Sequence, residues 1–353
     1  MAQNHFELKV TGGKLVVADI TDDGSHITEA VISGDFFLEP DDAYDALGRA
    51  LTGAGVNEDA AALQARIERE LADIEGVNLH GFSARDVAVT ARRAIVGAKD
   101  LTDYTWDVIH SPVLPTPVNV ALDEHLLNEV RAGRRNPTLR FWEWEDRAVV
   151  FGSYQSYSNE LNQEGVDRHG IIPVRRISGG GAMFMEGGNC VTYSMYLPDD
   201  IVRGLSYVDS YAYLDAWVLA GLKSLGVNAW YVPINDITSD GGKIGGAAQK
   251  RIPGAVLHHT TMSYDIDADK MMEVLRIGKV KVADKGLRSA KKRVDPLRRQ
   301  TGVSREEVIS TLIDTFTSRY PSERTSLDDA SLAAADDLVR TKFGTREWTH
   351  KIP

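Results

Sequence analysis

The sequence predicts an α+β fold in which helices flank a mixed or antiparallel sheet, with a small α+β domain in front of it. Strand-like segments are often separated by turns rather than by helices, and this favours a mixed or antiparallel sheet over a regular parallel one. The alternation of apolar and polar residues is clear in 6–10, 15–20 and 27–33. A length of 353 residues suggests about two domains.

The small domain is predicted at residues 1–98 and the larger one at residues 99–353. In the small domain the three strands are followed by segments whose apolar residues are spaced for one buried helix face. Ser83 precedes the last of these segments, where its hydroxyl can cap the helix. The predicted helices of the small domain are 41–51, 57–74 and 83–96.

The larger domain is predicted to alternate strands and helices around a glycine-rich loop. Three prolines within residues 108–118 favour an extended chain before the first helix. The predicted strands are 139–151 (as two strands), 171–176, 190–196, 244–249, 256–259 and 261–266. The predicted helices are 118–130, 207–225, 305–319 and 327–343.

The composition argues against several classes of protein. A formal charge of −11 is unfavourable for general nucleic-acid binding, because phosphate contacts need clustered Lys and Arg. The basic run within residues 270–300 is either a solvated face or a local anion site for a nucleotide or an acidic partner. The single cysteine, Cys190, can form neither an internal disulfide nor a cysteine-based zinc site. We find no signal-peptide pattern and no run of about 18 apolar residues, so we expect no membrane partner and a cytoplasmic location.

The first motif with chemical potential is the glycine-rich loop. Arg175 and Arg176 precede Ser178 and three consecutive glycines at 179–181. Without Cβ atoms, backbone N–H groups can approach a ligand closely and form a concave anion nest. Guanidinium groups beside such a nest suit a phosphate or a carboxylate. Taken alone, the glycines are also consistent with a flexible turn, and the spacing matches neither a Walker loop nor a dinucleotide fingerprint.

The second motif combines an acid and a lysine among small residues. Asn235 and Asp236 are followed by Gly-Gly-Lys-Ile-Gly-Gly-Ala-Ala-Gln at 241–249, which contains Lys243. A carboxylate such as Asp236 can hold Mg²⁺ together with phosphate oxygens. Lys243 is a compact charge that suits developing negative charge on a phosphate. An exposed lysine in a hairpin turn is the simpler alternative.

The third motif is the histidine pair His258-His259 within a strand-like segment. Neighbouring side chains of a strand point to opposite faces of the sheet. The two imidazoles are therefore poor joint metal ligands, and at most one of them faces a pocket.

In this order the motifs resemble the lipoate–protein ligase A family over roughly residues 105–350. Arg-Arg-x-Ser-Gly-Gly-Gly-Ala at 175–182 is specific to that family, and the Asn-Asp and Gly-Lys-Ile-x-Gly-x-Ala-Gln pair is nearly as specific. Residues 284–294 are similar to the family's basic adenylate-covering loop. Residues 5–97 weakly resemble the accessory domain that normally follows the catalytic domain, so the order is permuted here. The resemblance implies the cofactor-ligase fold shared with biotin ligases.

The resemblance also implies an activity: lipoate or octanoate is activated with ATP and Mg²⁺ to an acyl-adenylate and then transferred to a lysine of an acceptor protein. Lys243 would be the catalytic residue and Asp236 the metal ligand. The acceptors would be lipoyl-bearing proteins: the E2 subunit of a 2-oxoacid dehydrogenase, the H protein of glycine cleavage, or a specialised lipoyl protein. The residues implied to bind the nucleotide or the lipoyl group are Arg176, Ser178, Gly179, Gly180, Gly181, Ala182, Met183, Phe184, Asn235, Asp236, Lys243, Gly246, Ala248, His259 and Thr261.

Two other functions stay open. An octanoyl or lipoyl transferase without ATP would need a cysteine nucleophile, and this chain has none where such relatives carry it. A non-catalytic lipoyl- or nucleotide-binding homologue is conceivable because Met185-Glu186 replace a frequent His-Asp and Thr260 replaces the usual Gly. Retention of Asp236 and Lys243 argues against it.

An acyl chain would also need an apolar tunnel. Trp144, Val174 and Val191 are candidates for its wall, although each is equally consistent with the hydrophobic core.

Overall fold

A computed structural model describes residues 1–10, 12–276 and 295–353, and it divides the chain into two compact units. The first unit comprises Met1–Asp100 and Asp200–Ser210, and the second comprises Leu101–Asp199 and Tyr211–Pro353. The segment 200–210 therefore belongs with the first unit, whereas the sequence pattern places it in the larger domain. Residues 277–294 lie outside the described residues. They contain most of the basic run and the whole predicted adenylate-covering loop at 284–294.

The first unit is an antiparallel three-stranded sheet covered by helices. Its strands pair in the order β1-β2-β3, and the inward residues Val16, Ala18 and Ile20 are fully buried because alternate side chains share one face. The elements of the first unit are β1 (Ala2–Lys9), β2 (Leu15–Asp22), β3 (Ile27–Gly34), β4 (Phe37–Glu39), α1 (Asp42–Leu51), α2 (Ala60–Ala72), β5 (Asn78–His80) and α3 (Ala84–Ile95).

Helix α3 begins where the sequence predicts it. The Ser83 hydroxyl accepts a hydrogen bond from the Asp86 amide, and the Asp86 carboxylate accepts one from the Ser83 amide at 2.8 Å. This reciprocal pair satisfies two N–H groups that the first turn of a helix leaves without partners.

We predict that Ser83→Ala destabilises the protein by about 1 kcal/mol, because one helix N–H loses its acceptor. The free energy of unfolding in urea, together with amide exchange in α3, measures the effect. Ser326→Ala, at an exposed serine outside any helix, is the control and should change stability by less than about 0.5 kcal/mol. Equal stability of the two variants would contradict the capping role.

The second unit is built on an eight-stranded sheet with the order β12-β13-β14-β15-β11-β7-β6-β16. Its strands run antiparallel except for β6, which pairs in parallel with β7 and β16. A smaller sheet has the order β10-β8-β9. The strands are β6 (Trp106–Leu114), β7 (Thr138–Trp144), β8 (Arg147–Phe151), β9 (Ile172–Arg175), β10 (Met183–Glu186), β11 (Cys190–Pro198), β12 (Ala229–Val232), β13 (Asp236–Ser239), β14 (Gly242–Ile252), β15 (Ala255–Ser263) and β16 (Ser322–Thr325).

Helices cover these sheets, and the mixed α+β fold class predicted from the sequence is confirmed. The helices are α4 (Thr116–Arg131), α5 (Tyr157–Glu160), α6 (Gln163–His169), α7 (Tyr207–Leu214), α8 (Ala216–Ser224), α9 (Ala268–Val274), α10 (Leu297–Thr301), α11 (Arg305–Thr317), α12 (Asp329–Leu338) and α13 (Arg346–Thr349), with a π-helix at Val339–Phe343 between the last two. No helix within the described ranges is long and apolar enough to cross a membrane.

Two predicted elements are wrong in detail. The single helix predicted at 207–225 is interrupted at Asp215, whose buried carboxylate accepts hydrogen bonds from Tyr231 at 2.9 Å and from His258 at 2.6 Å. The two strands predicted at 256–259 and 261–266 form one strand, β15, because Thr260 continues the ladder with β11 and β14. Both differences depend on contacts between segments that are distant in the sequence.

Candidate active site

Neighbouring strands bring the second and third motifs together on one face of the large sheet. Asp236 on β13 pairs with Gly246 on β14, which pairs with Thr261 on β15. In the next row Ala248 pairs with His259. Because residues two apart share a face, both rows look toward the same side of the sheet.

A pocket opens on this face beneath the glycine-rich loop. Ten of the residues that the sequence assigned to the site line it: Arg176, Gly181, Ala182, Met183, Asn235, Lys243, Gly246, Ala248, His259 and Thr261. The other lining residues are Trp142, Val150, Met185, Thr192 and Ala247. We expected Met185 and Ala247 at the pocket wall from their departures from the family pattern. Trp142, Val150 and Thr192 were not expected there, because strand alternation does not show which buried side chains border a pocket.

Lys243 projects into this pocket next to an acid. Its Nζ lies 2.8 Å from Oδ1 of Asp236, and both side chains are more than a third exposed. A Cβ at Gly246 would lie 3.4 Å from the ammonium nitrogen, so a larger residue there would crowd the lysine. Asn235 exchanges hydrogen bonds with Ala247 across the strand edge, donating its side-chain amide at 2.6 Å. Lys243 and Asp236 thus lie together at the mouth of the pocket.

Arg176 holds the glycine-rich loop from within the protein. Its Nη2 donates to the carbonyls of Gly179 at 2.6 Å and Gly181 at 2.9 Å, and its Nε donates to the Ser178 hydroxyl at 2.9 Å. Its Nη1 donates to the carbonyl of Val150. This guanidinium lines the pocket, although it directs these donors to the loop and to Val150, and its binding of the nucleotide stays a prediction.

Two backbone N–H groups of the glycine-rich loop, those of Gly180 and Ala182, point away from Arg176. Carbonyl and N–H point in opposite directions across a planar trans peptide. The N–H groups of Gly180 and Ala182 therefore point away from the guanidinium that binds the preceding carbonyls. Neither donates a hydrogen bond to any acceptor in the part of the chain that the structure describes. Such amides, beside a buried cation, form a concave site suited to an anion.

Arg175 has a different task from the one the sequence predicted. Instead of facing the anion site, its guanidinium donates to carbonyls of the C-terminal segment, including Thr349 at 2.9 Å, and to Gln155 at 2.6 Å. The Trp348 indole N–H donates back to the Arg175 carbonyl at 2.7 Å. Arg175 thus fixes the last residues of the chain against the strand that leads into the loop.

A buried chain of hydrogen bonds joins the loop to the sheet. The Ser178 hydroxyl lies 2.7 Å from Nε2 of His259, and Nδ1 of His259 lies 2.8 Å from Oδ2 of Asp123. The same carboxyl accepts from Tyr196 at 2.6 Å and from Ser194 at 2.8 Å. Asp123, on α4, was not singled out from the sequence, although it sits in a segment that resembles the family's first helix.

The surroundings of His259 in this series of hydrogen bonds determine its protonation state. Burial lowers the pKa of His259, against the opposing effect of Asp123. Burial also opposes the charged form of Asp123, but His259 and Arg140 outweigh it and keep the pKa of the carboxyl below its usual value. The imidazole is therefore neutral, with its Nδ1–H donated to Asp123 and its Nε2 accepting from Ser178. In the same pocket burial lowers the pKa of Arg176 to about 10, which leaves this side chain charged at neutral pH.

The two histidines face opposite sides of the sheet, as strand alternation predicts. His258 is fully buried behind the pocket and bonds to Asp215. Thr260 also bonds to Asp215, at 3.3 Å. The change from the family's usual glycine at Thr260 therefore affects the back of the sheet, whereas the change at Met185 lies in the pocket wall.

The apolar wall differs from the predicted tunnel. Trp142 lines the pocket, whereas Trp144 and Val174 belong to the same hydrophobic cluster as Trp142 without lining the pocket. Val191 is fully buried, and the adjacent residue Thr192 lines the pocket in its place.

Phe184 needs a similar correction. Its neighbours Met183 and Met185 face the pocket, so strand alternation turns its ring into a separate core cluster with Val149 and Phe151. Ser178, Gly179, Gly180 and Asp236 lie next to the pocket without lining it.

Within residues 1–10, 12–276 and 295–353, no group of three or more His, Cys, Asp or Glu side chains could hold a metal ion. Asp236 is a single carboxylate at the mouth. Its geometry fits a Mg²⁺ ion held chiefly by the phosphates of a nucleotide, since that ion commonly uses one or two carboxylates plus substrate oxygens.

The mixed sheet, with a glycine-rich loop over its open face, places the chain in the fold class of the lipoate ligases. Residues 115–317 match the family model described as the lipoyl protein ligase A/B catalytic domain, and the chain belongs to this family. It is an enzyme of the lipoate ligase and octanoyltransferase group.

Similar proteins carry both activities in their names. An octanoyltransferase LipM of Brevibacillus brevis is 27% identical over 275 residues, covering 69% of this chain and 98% of that enzyme. A lipoate–protein ligase 1 of Staphylococcus aureus is 29% identical over 236 residues, covering 66% of this chain and 69% of that enzyme. Among solved structures, a bi-partite lipoate protein ligase of Thermoplasma acidophilum has a TM-score of 0.63 and 26% identity, covering 71% of this chain and 98% of that one.

We predict that His259→Gln reduces the loss of stability in mild acid. The folded protein resists protonation of His259, whereas the unfolded chain takes up a proton near the ordinary value of 6.5. Stability is therefore full above that pH and falls as the pH drops below it, with a contribution from this residue of at most about 1.4 kcal/mol per pH unit.

Urea unfolding between pH 7 and pH 5 measures this slope in the native protein and the variant. His80→Gln, at an exposed histidine that does not line the pocket, is the control and should leave the slope of the native protein unchanged. Parallel pH dependence of the native protein and His259→Gln would show that His259 titrates normally in the folded state.

Proposed function

We propose that the protein is an ATP-dependent lipoate–protein ligase. It activates lipoate or octanoate to the acyl-adenylate and transfers the acyl group to a lysine of an acceptor protein. The observation that carries the proposal is the position of Lys243, which shares one pocket with the N–H-presenting loop. A cation on one wall and amide donors on the other suit the carboxylate and the α-phosphate that must meet in adenylation.

The first step requires charge stabilisation more than proton transfer. The carboxylate oxygen attacks the α-phosphorus, the bond to pyrophosphate breaks, and negative charge develops on the phosphate oxygens. Lys243 and the loop amides stabilise this charge, and Arg176 adds a buried positive charge behind the loop. Trp142 and Met185 provide an apolar wall for the acyl chain. Mg²⁺ would enter with the nucleotide, with Asp236 as its protein ligand.

In the second step an acceptor lysine amine attacks the mixed anhydride, AMP leaves, and an amide forms. The protein contributes positioning, because the anhydride is already reactive. The Thermoplasma ligase belongs to a lipoylation system together with its E2 lipoyl domain. We propose a lipoyl-domain protein as the acceptor here as well, with E2 subunits, H protein and specialised lipoyl proteins as the candidates. We also propose that the unit containing residues 1–98 is the accessory domain and supports activation.

The competing function is octanoyl transfer without ATP, and the names of similar octanoyltransferases are the observation in its favour. That reaction needs a thiol near the acyl chain. Cys190 is the only cysteine in the sequence, it is fully buried, and it does not line the pocket. Burial raises the pKa of its thiol to about 12, so almost none of it is thiolate at neutral pH.

We predict that Lys243→Ala lowers lipoate-dependent ATP–pyrophosphate exchange by at least about a hundredfold, because the transition state loses the positive charge of this pocket-lining ammonium. The exchange assay reads adenylation without any acceptor. Lys223→Ala, at an exposed lysine near the end of α8, is the matched control and should exchange at the native rate. Native exchange by Lys243→Ala, or no exchange by the unaltered protein, would exclude the ligase mechanism.

A second prediction separates the two functions. Cys190→Ala should keep ATP-dependent lipoylation within about twofold of the native rate and lose only about 1 kcal/mol of stability from the missing buried sulfur. Mass spectrometry of a lipoyl-domain acceptor measures the first quantity and urea unfolding the second. Acyl transfer from an acyl thioester without ATP that disappears in a folded Cys190→Ala variant would support the transferase instead.

A further inference from the structure

A second concavity of about 430 Å³ lies in the same unit and has a strongly basic lining. Among the described residues, four cations line it, namely Arg131, Lys250, Lys342 and Lys351, against the carboxylate of Glu124. This is unusual for a chain whose formal charge is −11. We refer to it as the basic groove.

Three of these four cations lack a counter-charge within the described part of the chain, and two of the three also lack a side-chain hydrogen bond there. Lys342 bonds to Glu124, and Lys351 donates to the Ser153 hydroxyl at 2.9 Å. Arg131 and Lys250 make no ion pair or side-chain hydrogen bond with any residue that the structure describes. Burial and the charges of Arg175, Lys342 and Lys250 lower the pKa of Lys351, as expected where cations outnumber acids.

The basic groove continues the face of the sheet that carries the candidate active site. On β14, Gly246 and Ala248 line the active-site pocket, and Lys250, two residues further along the same face, lines the basic groove. The glycine-rich loop lies close to this strand, since a Cβ on Gly180 would lie 3.7 Å from the Ala248 side chain. Ile177, at the start of the loop, lines the groove. A macromolecule that reaches the active site over this loop would cover the basic groove.

The composition of the lining favours a protein surface over a nucleotide. None of the described residues that line the groove is a glycine, so this lining lacks the exposed backbone amides of a phosphate nest. Its cations come from separate elements, and they alternate with large side chains such as Trp348 and Tyr154. The Tyr154 side chain is 74% exposed. Arginine and aromatic residues with an open rim are typical of protein–protein interfaces.

We propose that the basic groove is the docking surface for an acidic face of the acceptor protein, and that it places the acceptor lysine over the glycine-rich loop. The proposal rests on the proposed function, since it requires a protein acceptor. It adds a recognition site outside the pocket that performs the chemistry.

The test reverses charge at the two cations that have no described partner. Arg131→Glu/Lys250→Glu is compared with Lys223→Glu/Arg319→Glu, which changes the net charge equally at exposed residues that do not line the groove. Three quantities are measured for each protein. They are lipoate-dependent ATP–pyrophosphate exchange, the KM for the apo lipoyl domain that the native protein modifies fastest, and the anisotropy of a fluorescent deca-glutamate peptide titrated with the protein.

The groove variant should raise the acceptor KM by about tenfold at low salt, weaken its salt dependence, and leave pyrophosphate exchange unchanged. It should also lose binding of the acidic peptide, while the control variant behaves like the native protein. An unchanged KM, or an equal rise in the control variant, would overturn the proposal. Loss of exchange in the groove variant would also overturn it, because the groove would then belong to the nucleotide site.

Failure of the proposed function gives a different pattern. The native protein would then show no exchange and modify no acceptor with ATP, and acceptor KM would be measured with an acyl thioester donor instead. Peptide binding that depends on the groove, with a raised KM in that assay, would keep the docking surface and reject ATP-dependent activation.

Discussion

The candidate active site depends on one buried cation, the guanidinium of Arg176. A run of three glycines has little conformational preference and would lose much backbone entropy on adopting a single shape. Arg176 offsets that cost by binding the carbonyls of Gly179 and Gly181 and the hydroxyl of Ser178. The same contacts direct the amides of Gly180 and Ala182 the other way. The Arg176 side chain therefore orders the loop and also determines that N–H groups rather than carbonyls face away from it.

A second constraint ties the ordered loop to the sheet. Ser178 reaches His259, and His259 reaches Asp123 on α4. Ser178, His259 and Asp123 are the residue types of a nucleophilic triad, but here the serine is buried and already hydrogen-bonded. Ser178 is fully buried, and its oxygen already accepts a hydrogen bond from Arg176. A hydroxyl in that position cannot reach a substrate carbonyl without leaving the loop's main anchor. The chain of hydrogen bonds is consequently a positioning device, which keeps the loop at a fixed height above β14 and β15.

The fold class and most strands could be predicted from periodicity and local residue types, whereas the resemblance to lipoate–protein ligases implied that the three motifs share one site. The sequence did not allow the roles of individual arginines to be assigned. Arg175 and Arg176 are neighbours with the same side chain, yet alternation sends one to the C-terminal segment and the other beneath the loop. The same period of two turns Phe184 into the core and brings Met183 and Met185 to the pocket. The carbonyls that bind Arg175 come from residues distant in the sequence, so no local pattern contains them. Arg176 binds residues within five positions of itself and the distant carbonyl of Val150, and the sequence does not show that its side chain turns back to the loop.

Two features of a pocket distinguish ATP-dependent ligation from acyl transfer without ATP. They are the groups that stabilise negative charge on phosphate oxygens and the presence of a reactive thiolate. A transferase that uses a thioester donor replaces one sulfur by another and needs a low-pKa thiol beside the acyl chain. No thiol is among the described residues that line this pocket, and the one cysteine of the sequence lies in a fully buried strand position that opposes ionisation. What the pocket does contain is the ammonium of Lys243, the buried guanidinium of Arg176 and the loop residues Gly181 and Ala182. That set suits a reaction in which phosphate oxygens gain charge, and none of the described pocket residues supplies the thiol that a transferase needs. The electrostatics of the pocket thus favour activation by a nucleotide, even where sequence similarity to transferases and to ligases is nearly equal.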